Sequence, residues 1–141
     1  MTGKKDQPNT VRETKESWKT FAMPKEKVDL SIKQKYSKEE YNKIKQGYIP
    51  KSMEDRWFIY FENDKLYFHR SWTGICIYEL KFSKENEDYI ISEGYLNGVI
   101  AKKRNSKSLK DETKTVLFLI ERFLLEEDDP HNDFEYISIS N

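Results

Sequence analysis

Apolar positions are unevenly spread along the 141 residues: they gather in a central block at 56–82 and in a late stretch at 116–125, between long polar segments. In the central block, apolar runs at 57–61 and 66–68 flank Asn63 and Asp64. Aromatic-rich runs around a two-residue Asn/Asp loop predict a β-hairpin, because those residues tolerate the positive φ of a tight turn. The loop fixes the register. Glu62 faces Lys65, Phe61 faces Leu66, Tyr60 faces Tyr67, Ile59 faces Phe68, Phe58 faces His69 and Trp57 faces Arg70. Side chains alternate across a strand, so Trp57, Ile59, Phe61, Leu66, Phe68 and Arg70 share one face. Phe58, Tyr60, Tyr67 and His69 share the other. Both faces are apolar enough to need covering.

The pattern continues past the hairpin. Ser71, Trp72, Thr73 and Gly74 form a turn, and 75–82 resumes a strand. Strict alternation there sends Ile75, Ile77 and Glu79 one way and Cys76, Tyr78, Leu80 and Phe82 the other. Residues 89–95 predict a fourth strand with Gly94 at a bulge, and Asn97-Gly98 a hairpin-type turn into a short strand at 99–102. Helical signals stand at both ends. Ser37 and Glu40 have capping-box spacing and Gly47 supplies a stop, which predicts a helix over 37–46. Ser108 and Asp111 cap a longer helix over 109–127, whose Val116, Leu119, Ile120, Phe123 and Leu124 share one face. Over 10–22, the Thr10–Glu13 spacing admits a helix; an irregular arm carrying Trp18 and Phe21 onto the sheet is the alternative. The expected fold class is α+β: an antiparallel β-meander of about four strands, a C-terminal helix packed on one face, and short N-terminal helices over part of the other. The expected organisation is a flexible tail at 1–9, one domain at 10–127, and an acidic C-terminal tail at 128–141, whose alternation at 134–139 suits an added edge strand.

Composition narrows the function classes. Charged residues are 35% of the chain, yet lysine and arginine balance aspartate and glutamate at a formal net charge of zero. That argues against a nucleic-acid binder, since such domains are usually basic. A single cysteine forms no disulfide within the chain and points to a reducing, cytoplasmic setting. No apolar run exceeds five residues, as at 116–120, far short of the roughly 20 residues of a membrane-spanning helix. His69 and His131 are the only histidines and show no metal-ligand spacing, and no glycine-rich phosphate loop is present. No cofactor and no metal are expected.

The candidate chemistry lies at the end of the hairpin. Arg70, Ser71, Trp72 and Thr73 combine a guanidinium suited to phosphate or carboxylate, hydroxyls suited to phosphate or ribose, and an indole suited to stacking on a base. Trp57 supports Arg70 through a cation–π contact, and His69 adds a group that titrates near neutral pH. The structural reading of the same residues is that Arg70 stacks on Trp57 and pairs with Asp55 or Glu79, while His69 is a sheet histidine beside Phe58. Cys76 reads as a small buried hydrophobe. No serine–acid pair or second histidine accompanies His69, which weighs against an enzyme.

The run 53–62, MEDRWFIYFE, followed by 66–74, LYFHRSWTG, resembles a block found in small uncharacterised bacterial and phage proteins. Such proteins are associated with ADP-ribose-processing or defence genes, so the resemblance implies a nucleotide-derived ligand without supplying an activity. The expectation is a binding domain for a nucleotide or ADP-ribose-like molecule, with Arg70, Trp72 and Thr73 at the pocket. The alternative is a protein-interaction module, favoured if the chain dimerises, that uses an exposed sheet edge or Phe118 and Leu125 on the last helix.

Overall fold

The computed structural model describes residues 12–104 and 108–126. Among these residues, six antiparallel strands form one sheet: β1 (Lys27–Asp29), β2 (Lys35–Tyr36), β3 (Trp57–Glu62), β4 (Lys65–Arg70), β5 (Cys76–Glu85) and β6 (Asp88–Asn97). The meander β3–β4–β5–β6 forms as the pattern predicts. Six strands stand where about four were expected, because part of the polar connector at 25–36 also pairs: β1 lies on Tyr95–Asn97 and β2 on Tyr89 and Ile90 along the same edge of β6. These pieces are too short and too charged to show alternation in the sequence.

The β3–β4 register agrees with the predicted one at all six pairs, from Glu62 with Lys65 to Trp57 with Arg70. The turn chemistry explains why: Asn63 and Asp64 have φ of 55° and 66°, the left-handed pair a tight hairpin requires. In β5, strict alternation fails. The register passes from Phe68 opposite Tyr78 to His69 opposite Cys76, so Ile77 is an extra residue in a β-bulge. Cys76 therefore lies with His69, whereas Tyr78 and Leu80 face the opposite side with Phe68 and Leu66. A second bulge falls at Ser92, not at Gly94. Gly94 serves a different need: a Cβ there would overlap the side chain of Ile32, which crosses β6 closely.

Helix α1 (Lys38–Ile44) starts at Ser37, whose hydroxyl accepts from Glu40 N–H while the Glu40 carboxylate accepts from Ser37 N–H. Helix α3 (Leu109–Leu119) starts at Ser108, whose hydroxyl accepts from Asp111 N–H, and widens into a π-type turn over Ile120–Leu125. The expected Asn97-Gly98 hairpin does not form. The Asn97 side chain instead accepts from Val99 and Ile100 N–H and caps helix α2 (Gly98–Lys103).

One face of the sheet carries the core. Ile59, Leu66, Phe68, Leu80 and Ile91 pack with Val116, Ile120 and Leu124 of the late helix and with Tyr41 and Ile44 of α1. Helix α1 thus joins the C-terminal helix on the same side, and among the described residues no N-terminal helix covers the other. That face is covered by the irregular arm. Residues 12–26 hold a single short turn, Lys15–Ser17, and then run without regular structure. Trp18 stacks on Phe58 with ring centroids 6.1 Å apart and donates its indole N–H to the Ser71 carbonyl at 2.9 Å. Phe21 stays 58% exposed, so only Trp18 is fixed by packing. Thr10, the acidic tail at 128–141 and its suggested edge strand lie outside the described residues. Among the described residues, no helix is long and apolar enough to cross a membrane.

Candidate functional site

The hairpin register builds the site. Continuing it one step past Trp57 and Arg70 brings Arg56 opposite Ser71, whose N–H donates to the Arg56 carbonyl at 2.9 Å. The chain then turns through Gly74, whose φ of 78° and whose close approach to the Lys19 carbonyl both require glycine. This turn sets Arg56, Arg70, Trp72 and Thr73 around a cavity of about 240 Å³.

Each wall is held in place. The Arg70 guanidinium lies 4.9 Å from the centre of the Trp57 ring. Trp57 is itself buried and stacks on Tyr78. The Trp72 indole is 70% exposed, yet its N–H donates to the Met53 carbonyl at 3.0 Å, so its orientation is fixed while its face stays open. The Thr73 hydroxyl oxygen accepts from Ile75 N–H at 3.2 Å, which leaves its own O–H to donate. Ser71 has a different task. It is buried, its hydroxyl donates to the Asp55 carbonyl at 2.8 Å, and its carbonyl anchors Trp18. Ser71 therefore joins the scaffold and not the cavity wall.

The electrostatics are lopsided. Among the described residues, neither Arg56 nor Arg70 has a carboxylate within ion-pair distance. The acids that sequence reasoning offered to Arg70 are engaged elsewhere. Asp55 accepts from the Tyr48 hydroxyl and Lys51 N–H, contacts that hold its carboxyl below the usual range. Glu79 lies on the opposite face, between Lys27 and Lys65. Burial, then repulsion from Arg56 and Arg104, lowers the Arg70 pKa from its ordinary value. Arg104 is neutralised: its guanidinium donates to both oxygens of buried Glu112, which also accepts from the Tyr78 hydroxyl. Two arginines without carboxylate partners among the described residues give this corner a positive character inside a chain of zero formal net charge.

His69 is not part of this site. It follows the alternation to the other face of β4, where it is 1% exposed and stacks near Tyr60 and Phe58. Trp57 sits behind Arg70 and does not line the cavity. Sequence reasoning missed Arg56, although one more step of the same register would have placed it. Cys76 is buried, and burial raises its thiol to about 12, so it is no thiolate at neutral pH. Among the described residues, no group of three or more His, Cys, Asp or Glu side chains is placed to hold a metal ion. No family model, curated protein or solved structure matches the chain.

Proposed function

We propose that the chain is a binding domain for a small phosphate-bearing molecule of the nucleotide or ADP-ribose kind, seated between Arg56, Arg70, Trp72 and Thr73. The observation that carries the reading is the pair of arginines without carboxylate partners among the described residues, on a cavity beside a fixed, exposed indole. Guanidinium groups left unpaired are suited to phosphate oxygens through paired N–H donors. An indole held by its N–H but open on its face offers a stacking platform for a heterocyclic base, an interaction typically of about 1–3 kcal/mol per base. Thr73 adds a hydroxyl donor at the same rim. A cytoplasmic location and the absence of catalytic chemistry belong to the same proposal.

The test is calorimetric titration of the full chain with ATP, ADP-ribose and inorganic phosphate. Arg70→Ala is expected to weaken binding by about 1.5–3 kcal/mol, the usual worth of a hydrogen bond to a charged group. Trp72→Ala should reduce affinity for the nucleotides but not for phosphate. Nucleotide binding that is unchanged in both variants would move the ligand elsewhere. A second reading, a protein-interaction module, is favoured by Phe118, which stands 58% exposed on the last helix. A dimer mass in native mass spectrometry that disappears in Phe118→Glu would support it.

A further inference from the structure

The second face of the sheet holds a separate cavity of about 480 Å³ between the strands and the N-terminal arm. Lys27, Tyr60, Lys65, Tyr67, His69 and Glu79 of the strands line it, together with Phe21 of the arm. It shares no residue with the arginine cavity.

Three observations mark it as a site. The first is His69. Its Nδ1 lies 2.9 Å from the Gly74 carbonyl, and a carbonyl oxygen only accepts, so Nδ1 carries the proton. Burial lowers the imidazole pKa, which keeps the ring neutral and leaves Nε2 a bare acceptor. Nε2 is buried and has no hydrogen-bond partner among the described residues. Buried polar atoms without partners are uncommon in native proteins. The second is Glu79, only 5% exposed, with Lys27 at 3.4 Å from one carboxylate oxygen and Lys65 at 3.4 Å from the other. Both distances exceed the roughly 2.7–2.9 Å of a close charge-assisted bond. The third is aromatic. Tyr60 and Tyr67 stack with centroids 4.9 Å apart, and among the described residues neither hydroxyl has a hydrogen-bond partner. Phe21 faces the same space from the arm.

The wall carries both signs of charge. Lys15, Lys27 and Lys65 stand against Glu62 and Glu79. A purely anionic or purely cationic ligand meets repulsion from part of that wall; a zwitterion satisfies both parts. We infer that this cavity binds an aromatic α-amino acid, whose ammonium donates to His69 Nε2 with Glu79 as counter-charge, whose carboxylate accepts from Lys27 and Lys65, and whose ring lies among Tyr60, Tyr67 and Phe21. The volume is within the range of small-molecule sites, about 300–1,000 Å³.

The full chain is titrated with L-tryptophan, L-tyrosine and L-phenylalanine while the imidazole nitrogens are followed by NMR. Tryptamine and indole-3-propionate serve as controls that each keep one charge. The expected result is an upfield movement of the His69 Nε2 resonance with at least one amino acid, as a donor arrives at the lone pair. Both single-charge controls are expected to bind at least about tenfold more weakly, one hydrogen bond's worth of affinity. His69→Phe is expected to remove binding, and Arg56→Ala to leave it unchanged, which separates this cavity from the arginine site. Should His69→Phe fail to fold, Glu79→Gln decides, with a loss of about tenfold expected from removal of the counter-charge. No movement of Nε2 with any of the three amino acids at millimolar concentration overturns the inference, as does affinity unchanged in both variants.

Discussion

Arg70 and His69 are adjacent in the chain and point to opposite sides of one strand, and their surroundings differ accordingly. Arg70 keeps its charge beside a cavity; His69 is held neutral by burial. That contrast has a pH consequence. A histidine whose folded pKa lies below its unfolded value, about 6.5, takes up a proton in the unfolded chain before the folded one. The unfolded state is then favoured as pH falls, so His69 contributes stability that is complete above about pH 6.5 and is lost progressively below it. Urea midpoints measured from pH 7.5 downward are expected to fall through that window in the wild type and to fall less in His69→Phe. The candidate site residues were legible in the sequence to the extent that they follow the hairpin. Arg70, Trp72 and Thr73 meet around one cavity because turn chemistry fixed the register. Glu79 was not legible as a neighbour of Tyr67 and His69, because the Ile77 bulge reverses the alternation just before it.

Elements whose start or turn depends on side chains close in sequence were read correctly: the hairpin, the capping box at Ser37 and the cap at Ser108. Elements defined by distant partners were not. Asn97-Gly98 carries a strong turn signal, but the Asn97 amide also donates to the buried Cys76 carbonyl at 2.8 Å, and this tertiary bond helps commit the residue to capping a helix. Two substitutions test the local geometry. Asp64→Gly relaxes a residue held at φ 66° and is expected to stabilise the fold by about 0.5 kcal/mol, measured by chemical denaturation. Gly74→Ala has the opposite sign. It places a side chain at φ 78° and drives a Cβ to 2.6 Å from the Lys19 carbonyl. A loss of about 1–3 kcal/mol is expected, with the arm displaced.

At the scale of the whole molecule, one sheet separates two unlike sides. One side is closed by helices and holds the aliphatic core; the other is closed by an arm with almost no regular structure. Trp18 is its side-chain anchor, through one ring stack and one hydrogen bond, and the backbone N–H groups of Glu13 and Phe21 add bonds to the Gln46 and Gly74 carbonyls. Trp18→Ala is therefore expected to cost about 2–4 kcal/mol, somewhat below the cost for a fully buried tryptophan. The same substitution should uncover Phe58 and Tyr60, which increased binding of a hydrophobic dye would report. Hydrophobic patterning located the sheet and the late helix because both bury long apolar runs. It could not choose between helix and arm at 10–22, since a segment anchored by one side chain carries no period.

The carbonyl of Gly74 serves two donors at once: His69 Nδ1–H from the strand and Phe21 N–H from the arm, each at 2.9 Å. Exchange of the Phe21 amide with deuterium is thus a clock for lifting of the arm. Each opening also strips one of two competitors from the oxygen that orients the imidazole, so the lifetime of the closed arm and the orientation of His69 are properties of a single atom.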